Sequence, residues 1–258
     1  VKVCLLASGS KGNSTFVEIN GFRLLVDVGL TLKDLIQRLE RIQITPSQLD
    51  AIIITHEHYD HVKGLARLVR AYSIPVYLNQ GTYHHLSRTL KQAFQPHLIT
   101  TNEPFEIARE ILVHPVQTPH DAADPISVII QHNGSKIGIA TDLGFVTRRV
   151  GRHLIGANLI VLESNHDEEM LKSSKYPWSL KQRILSKNGH LSNGAFNNAL
   201  SKLIHCDLEA VFLAHLSEEN NCPDLAHRLA VDTVRKSDHP QIAIHVGQQH
   251  APTPLVEL

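Results

Sequence analysis

Apolar and polar positions alternate along this chain in blocks short enough to be read one by one. Residues 1–7, 15–19 and 23–27 are apolar runs, and the first two are separated by the turn-rich SGSKGNS. They predict three strands joined by tight loops. Over residues 32–42 the period changes, because Leu32, Leu35, Ile36, Leu39 and Ile42 recur at helical spacing. Residues 51–55, AIIIT, form an unbroken β-branched run that predicts a buried strand. After HEHYDH a helical pattern resumes over 62–71, with Leu65, Leu68 and Val69 on one face. A strand is expected at 75–78 and a helix at 80–93. PISVIIQHNGSKIGIATD predicts a hairpin turning on Asn133-Gly134, a pair that accepts the positive φ of a tight turn. Beyond it, strands at 159–163, 210–214 and 242–246 alternate with helices at 192–204 and 224–237. A strand-rich first half followed by strand–helix alternation indicates an α/β fold. No linker composition or fixed-period repeat interrupts it, so residues 1–258 are expected to form one domain.

Several predicted strands end in a residue able to bind a metal: Asp27, His56, Asp142, Glu163 and His215, with His120 just past another. Side chains at strand ends, held by a rigid sheet, are where such folds place chemistry. Composition sharpens this. Hydrophobic residues are 42% and charged residues 19% of the 258, which excludes wholesale disorder. Lys plus Arg and Asp plus Glu are both 25, so contact with nucleic acid has to rest on a local patch. The 18 histidines are the one oddity, and histidine is the commonest metal ligand. Cys4, Cys206 and Cys222 form no CxxC pair and offer no disulfide framework, as expected in a reducing compartment. The first apolar run is too short for a signal peptide, and no run reaches the roughly 18 residues of a membrane helix. A cytoplasmic protein with no membrane partner is expected.

The densest chemistry is HEHYDH, directly after the buried run at 51–55. Two readings compete: a metal site, or a solvated loop in which histidines cluster. Leaving a strand in a tight loop, His56 and His58 can converge on one centre. Asp60 and His61 can then aim at a second, about 3.5–4 Å away in two-metal sites. The buried strand in front favours the metal reading, because it fixes where the loop starts. No GxSxG element is present, and Cys4 reads as core packing, so no protein nucleophile competes.

THEHYDHVKGL resembles the HxHxDH signature of the metallo-β-lactamase fold. The likeness extends in order to the aspartate of LLVDVG, the histidine of TPHDAADPISVII, the aspartate of IATDLG and the histidine of VFLAHLS. It implies an αββα sandwich, two mixed β-sheets flanked by helices. It implies that His56, His58 and His120 hold one divalent ion and that Asp60, His61 and His215 hold another. Asp142 would bridge them, and Asp27 would lie behind and orient the histidine-rich loop. His190 competes with His215 for the last place, and His215 is preferred because AVFLAH puts it at a strand end. Histidine with carboxylate suits Zn²⁺, Mn²⁺ and Fe²⁺ alike. Two such ions give hydroxide near neutral pH by lowering the pKa of bound water.

LASGSKGNST, ESNHDEEML, YPWSLKQRILSKNGHLSN and AHLSEENN are more particular, and they resemble the stand-alone bacterial WalJ/YycJ (VicX) subfamily. That resemblance implies phosphodiester hydrolysis and 5′-to-3′ exonuclease action on DNA. Between Leu171 and His190 lie Lys172, Lys175, Lys181, Arg183 and Lys187 with no acid, and Tyr176 and Trp178 among them. Cations that track phosphates and aromatics that stack bases suit a single strand, but a solvated helix face with core aromatics fits equally. His190 is expected to contact a phosphate oxygen or protonate the leaving group, making it, with Asp60, a catalytic candidate. Ser8, Ser10, Asn13, His166, Lys181 and Arg183 are the candidate substrate contacts. A small-molecule hydrolase acting on a thioester, lactone or cyclic phosphodiester is the alternative. A non-catalytic metal-binding protein is a third, disfavoured by the intact ligand set. Oligomeric state is not legible.

Overall fold

The computed structural model describes residues 1–258. The chain opens with three antiparallel strands, β1 (Lys2–Ala7), β2 (Ser14–Ile19) and β3 (Phe22–Val26), then α1 (Leu32–Arg41) and β4 (Ala51–Ile53). The histidine-rich loop leads into α2 (Tyr59–Val62) and α3 (Leu65–Tyr72), followed by β5 (Val76–Asn79), α4 (Gln80–His85), α5 (Arg88–Lys91) and β6 (Pro96–Ile99). The second half begins with β7 (Phe105–Ala108), β8 (Ile111–Gln117), β9 (Ile126–His132) and β10 (Ser135–Ala140). It continues through α6 (Arg148–Leu154), β11 (Leu159–Glu163), α7 (Glu168–Ser173), α8 (Trp178–Ile184), α9 (Asn193–Leu203), β12 (Ala210–Ala214), α10 (Pro223–Arg235) and β13 (Ala243–Val246). A last short strand, β14 (Val256–Glu257), returns to β1. No helix is long and apolar enough to cross a membrane.

The strands form two seven-stranded sheets, ordered β14-β1-β2-β3-β4-β5-β6 and β13-β12-β11-β10-β9-β8-β7. Each is antiparallel on one side and parallel on the other: β3 to β6 in the first sheet, β10 to β13 in the second. The expected two mixed sheets flanked by helices are present, and the layering follows from which way each strand residue faces. Ala51 and Ile53 of β4, Leu159 and Val161 of β11, and Ala210 and Phe212 of β12 join a core between the sheets. Their neighbours face outward. Ile52 packs under α1 and α3, and Ile160, Leu162, Val211 and Leu213 pack under α6, α9 and α10. Both faces are covered, so these strands read as continuous apolar runs rather than alternating ones.

The Asn133-Gly134 hairpin forms as expected, with φ of 45° and 84° at its two turn residues. The helix expected over residues 80–93 is instead two short helices. Ser87 interrupts it by capping the second one, its hydroxyl accepting from the Leu90 N–H at 3.3 Å. Strands β6, β7 and β14 were not anticipated; they are short edge strands whose exposed residues blur the alternation.

Phe212 is fully buried between the sheets. Phe212→Ala is expected to cost about 3–5 kcal/mol of unfolding free energy by urea titration. A loss under about 1 kcal/mol would mean that Phe212 is not tightly packed between the sheets.

A candidate metal centre at the strand ends

The candidate ligands leave the ends of β3, β4, β8, β10, β11 and β12, which converge at one end of the sandwich. Three of them sit in the left-handed backbone region: Asp27 at φ 65°, Asp142 at 57° and His215 at 56°. Asp27 and His215 are the first residues after their strands and Asp142 the second, where the chain turns sharply and the side chain swings inward. Non-glycine residues rarely adopt this region unless their surroundings hold them there.

Those surroundings are polar and specific. Asp27 is buried; its Oδ1 accepts the Thr55 N–H, and its Oδ2 accepts the Thr55 hydroxyl and His61 Nδ1, each at 2.8 Å. With its proton given to Asp27, the Thr55 hydroxyl accepts His56 Nδ1–H at 3.0 Å. One carboxylate therefore orients His61 directly and His56 through Thr55. His120 donates from Nδ1 to the Gly189 carbonyl at 3.2 Å, and His215 from Nδ1 to Glu163 Oε1 at 3.2 Å. Four imidazoles thus have Nδ1 engaged, which leaves Nε2 as the lone-pair nitrogen facing the centre, as in metal sites.

The inward atoms gather in overlapping groups. His56, His58 and His120 form one, Asp60, His61 and His215 another, and His56, His61 and Asp142 a third, with ligand atoms within 4.8 Å of one another. His58 Nδ1 and His120 Nε2 are 3.3 Å apart. His61 Nε2 lies 3.3 Å from Asp142 Oδ2, and His215 Nε2 lies 3.4 Å from Asp142 Oδ1 and 3.5 Å from Asp60 Oδ2. Ligand atoms about 2.1 Å from a tetrahedral ion stand about 3.4 Å apart, so these spacings suit one. His56 Nε2, Asp142 Oδ2 and His215 Nε2 are buried with no hydrogen-bond partner. Orphaned polar atoms at this density are costly unless a cation satisfies them, so the residues fit a metal.

Electrostatics agree. Burial alone would push His61 and His215 down, but the surrounding carboxylates, Asp142 foremost, outweigh it and hold both well above the ordinary imidazole value. Burial alone would raise Asp60 and Asp142, but the same two histidines hold both well below the usual carboxylate range. His56, buried and close to His61, is pushed well down. The cluster demands positive charge, and metal ions would replace the protons that supply it.

Glu57, inside the same hexapeptide, is not part of the cluster. Its Oε1 accepts the Ala123 N–H at 2.8 Å and braces the segment after His120. Glu163 was legible only as a strand-end carboxylate, and its position assigned it no role. It is fully buried, and its Oε1 accepts from His190 Nδ1 at 2.7 Å and from His215. Its Oε2 accepts the N–H groups of Leu143 at 2.8 Å and Leu191 at 3.3 Å. Burial raises its pKa, but the His190 charge and the hydrogen bonds from His190 and His215 more than offset that and bring it to about 2. With both oxygens occupied, Glu163 serves as an anchor for His190 and His215. His190 rests 5.1 Å from the His215 ring in a stack, lines a cleft of about 190 Å³, and is held above the ordinary imidazole value by Glu163 against the effect of burial.

The expected substrate contacts divide. Ser10 and Arg183 line the same cleft as His190, beside Tyr176, and Trp178 is 64% exposed rather than in the core. Arg183 is paired with Asp121, whose other oxygen lies 3.4 Å from His120 Nε2. The other four are buried. Ser8 is buried and accepts the His215 N–H at 2.6 Å, holding the end of β12. Asn13 is buried and donates to Asp60 Oδ2 and toward His61 Nε2, each at 3.1 Å, bracing the ligands. His166 is 1% exposed. Lys181 is buried and donates to the carbonyls of Lys172 and Ser174, each at 2.7 Å, which staples α7 to α8. Of the other cations expected in that patch, Lys172 pairs with Glu169 at 2.9 Å.

Residues 22–216 match the family described as beta-lactamase superfamily domain. The chain is 37% identical over 237 residues to exodeoxyribonuclease YycJ of Bacillus anthracis, spanning 89% of this chain and 87% of that one. It is 35% identical over 241 residues to exodeoxyribonuclease WalJ of Streptococcus pneumoniae serotype 2, spanning 92% and 89%. The metallo-β-lactamase fold protein YhfI from Bacillus subtilis superposes with a TM-score of 0.73 over 99% of both chains at 15% identity, a likeness of fold.

Asp27→Asn keeps the size of the side chain but puts an amide where carboxylate oxygens accept from His61 and Thr55. Metal affinity is expected to fall about 10–100-fold by competition with a chromophoric chelator, with the circular dichroism spectrum unchanged. Wild-type affinity in this variant would remove Asp27 as the organiser of the centre.

Proposed function

We propose, for a chain that belongs to the β-lactamase superfamily and to its YycJ/WalJ group, the function of a two-metal phosphodiesterase that degrades DNA from the 5′ end. One observation carries this beyond family membership: the cleft lined by His190 and Arg183 opens beside Asp142 and the histidine groups. In this reading His56, His58 and His120 hold one ion, and Asp60, His61 and His215 hold the other. Asp142 faces both, its carboxylate lying within 3.8 Å of nitrogens from His61, His120 and His215. When bound, the ions supply Lewis acidity and a water of lowered pKa. Zinc, manganese and iron(II) all suit this donor set.

The chain's own residues do the rest. Asp27, Thr55 and Glu163 hold the imidazoles in one tautomer, so little reorganisation is left for the reaction. Glu163 favours the protonated form of His190, which in that form presents a proton to the cleft, where it stabilises a non-bridging phosphate oxygen or protonates the departing one. Arg183 offers its remaining N–H groups to the backbone of the strand, and Tyr176 and the exposed Trp178 offer faces on which bases stack. Residues 1–258 act as one domain in this reading. Its three free cysteines suit the reducing cytoplasm.

Metal-loaded protein is expected to release mononucleotides from 5′-phosphorylated DNA, and His58→Ala to abolish this together with bound metal. Faster turnover of a thioester or lactone than of any nucleic acid would overturn the reading. His190→Ala is expected to lower kcat about 10²–10⁴-fold at unchanged metal content; loss of one ion per chain would make it a ligand instead. Arg183→Gln should weaken DNA binding and reduce the salt slope by about 1. An unchanged slope would take Arg183 off the phosphate path.

A further inference from the structure

A second concavity lies on the helical layer over the second sheet, outside the metal centre. It has a volume of about 420 Å³ and runs between α6 and α9. Its floor is aliphatic, with Leu191, Ala199 and Leu203 beneath and Ile155 and Phe145 at its lips. Ile155 is 58% and Phe145 43% exposed, a high exposure for two large apolar side chains that share one groove. Its rim carries Arg148 and Arg152 from α6 and Lys202 from α9, and no acidic residue lines it. The ion pairs of other lysines and arginines join Lys2 and Arg23 to Glu18, Lys11 to Glu218, Lys172 to Glu169 and Arg183 to Asp121. None involves the three rim cations, so an apolar trough is bordered by positive charge without a counter-charge on this chain.

We propose that this groove docks a short acidic peptide segment of a partner protein, with apolar side chains in the trough and carboxylates on Arg148, Arg152 and Lys202. Shape and charge each narrow the occupant. A two-fold contact with a second copy would set this basic rim against itself, which disfavours self-association there. The floor is built from aliphatic side chains rather than stacked aromatic faces, so it suits leucine or phenylalanine better than a run of bases. The seven residues of α6 rise about 10 Å, room for about three extended peptide residues, so one or two apolar anchors flanked by acids fill it. Leu191 directly follows His190, and its N–H donates to Glu163, so the docked segment lies behind the catalytic cleft without entering it. Such a surface would bring the enzyme to a partner while leaving the site free.

The test uses the full-length, metal-loaded protein and a fluorescein-labelled hexapeptide of two leucines flanked on each side by two acidic residues. Saturable binding by fluorescence polarisation is expected. It should weaken about ten-fold or more in Arg148→Glu/Arg152→Glu and in Ala195→Trp, which fills the groove. Cleavage of a short oligonucleotide should be unchanged in both variants. A peptide with lysines for its acids, and an acidic one with serines for its apolar residues, should each bind at least about ten-fold more weakly. The proposal fails if the parent peptide does not bind, if either control binds equally, or if the charge-reversed variant binds as wild type does. It also fails if single-stranded oligothymidylate displaces the peptide and loses affinity in the same variants, which would make the groove a nucleic-acid surface. Matching thermal midpoints show that the variants are folded. Arg148 and Arg152 are exposed, so the charge reversal decides even if Ala195→Trp does not fold.

Discussion

The Asp27 carboxylate ties the first sheet to the candidate metal centre. It closes β3 and holds the segment leaving β4 through the Thr55 N–H and hydroxyl. It also fixes two imidazoles, one on each side of the centre. Only an ionised carboxylate serves, because every one of its contacts is a donor and both oxygens are acceptors. Leaving a buried donor unpaired costs about 1–3 kcal/mol. The strand pairing between β3 and β4 and the placement of the ligands are therefore stabilised together. Backbone contacts around it have the same character. The N–H groups of Asn13 and Val28 donate to the Asp60 and His61 carbonyls, tying the loop after β1 and the end of β3 to the histidine-rich segment, and the Gly64 N–H donates to Val28, tying in the start of α3. Gly29 fits between them because a Cβ there would stand 1.7 Å from the Asp60 carbonyl.

Glu163 plays the corresponding part in the second sheet, where it closes β11 and receives two imidazoles and two backbone N–H groups. The two sheets thus meet at a centre that each supports with one buried acid. Asp142 lies between, supplied by β10 and facing histidines from both sheets. The division of labour is electrostatic. Acids behind the imidazoles keep them oriented and electron-rich, while Asp60 and Asp142 among them draw in positive charge. His190 is the one imidazole that combines such an anchor with a place on the cleft.

What could be read from sequence followed from chemistry that a local pattern must display. AIIIT and LIVLE are buried on both faces and so are unbroken apolar runs, and a run that ends in histidine or carboxylate announces a strand end. Most strands, the hairpin and the candidate ligands were legible for that reason. Ser8, Asn13, His166 and Lys181, expected as substrate contacts, are instead buried, for the converse reason. A polar side chain suited to a ligand is equally suited to a buried backbone partner, and nothing within a few residues distinguishes the two. Lys181 illustrates it: its spacing in a basic stretch says surface, yet two carbonyls capture its ammonium. The anchoring role of Glu163 depends on residues from β10, β12 and the loop before α9, contacts that only the fold creates. The short strands β6, β7 and β14 escaped because pairing at an edge needs little from side chains.

The left-handed backbone at Asp27, Asp142 and His215 bears on how such a chain changes over generations. Each of those positions costs the fold roughly 1 kcal/mol of backbone strain, and glycine, which would relieve it, would also remove a side chain that holds buried polar partners. At Asp27 the donors left unpaired would cost about 1–3 kcal/mol each, more than the turn would recover. The turn and the side chain it carries are therefore exchanged together or not at all.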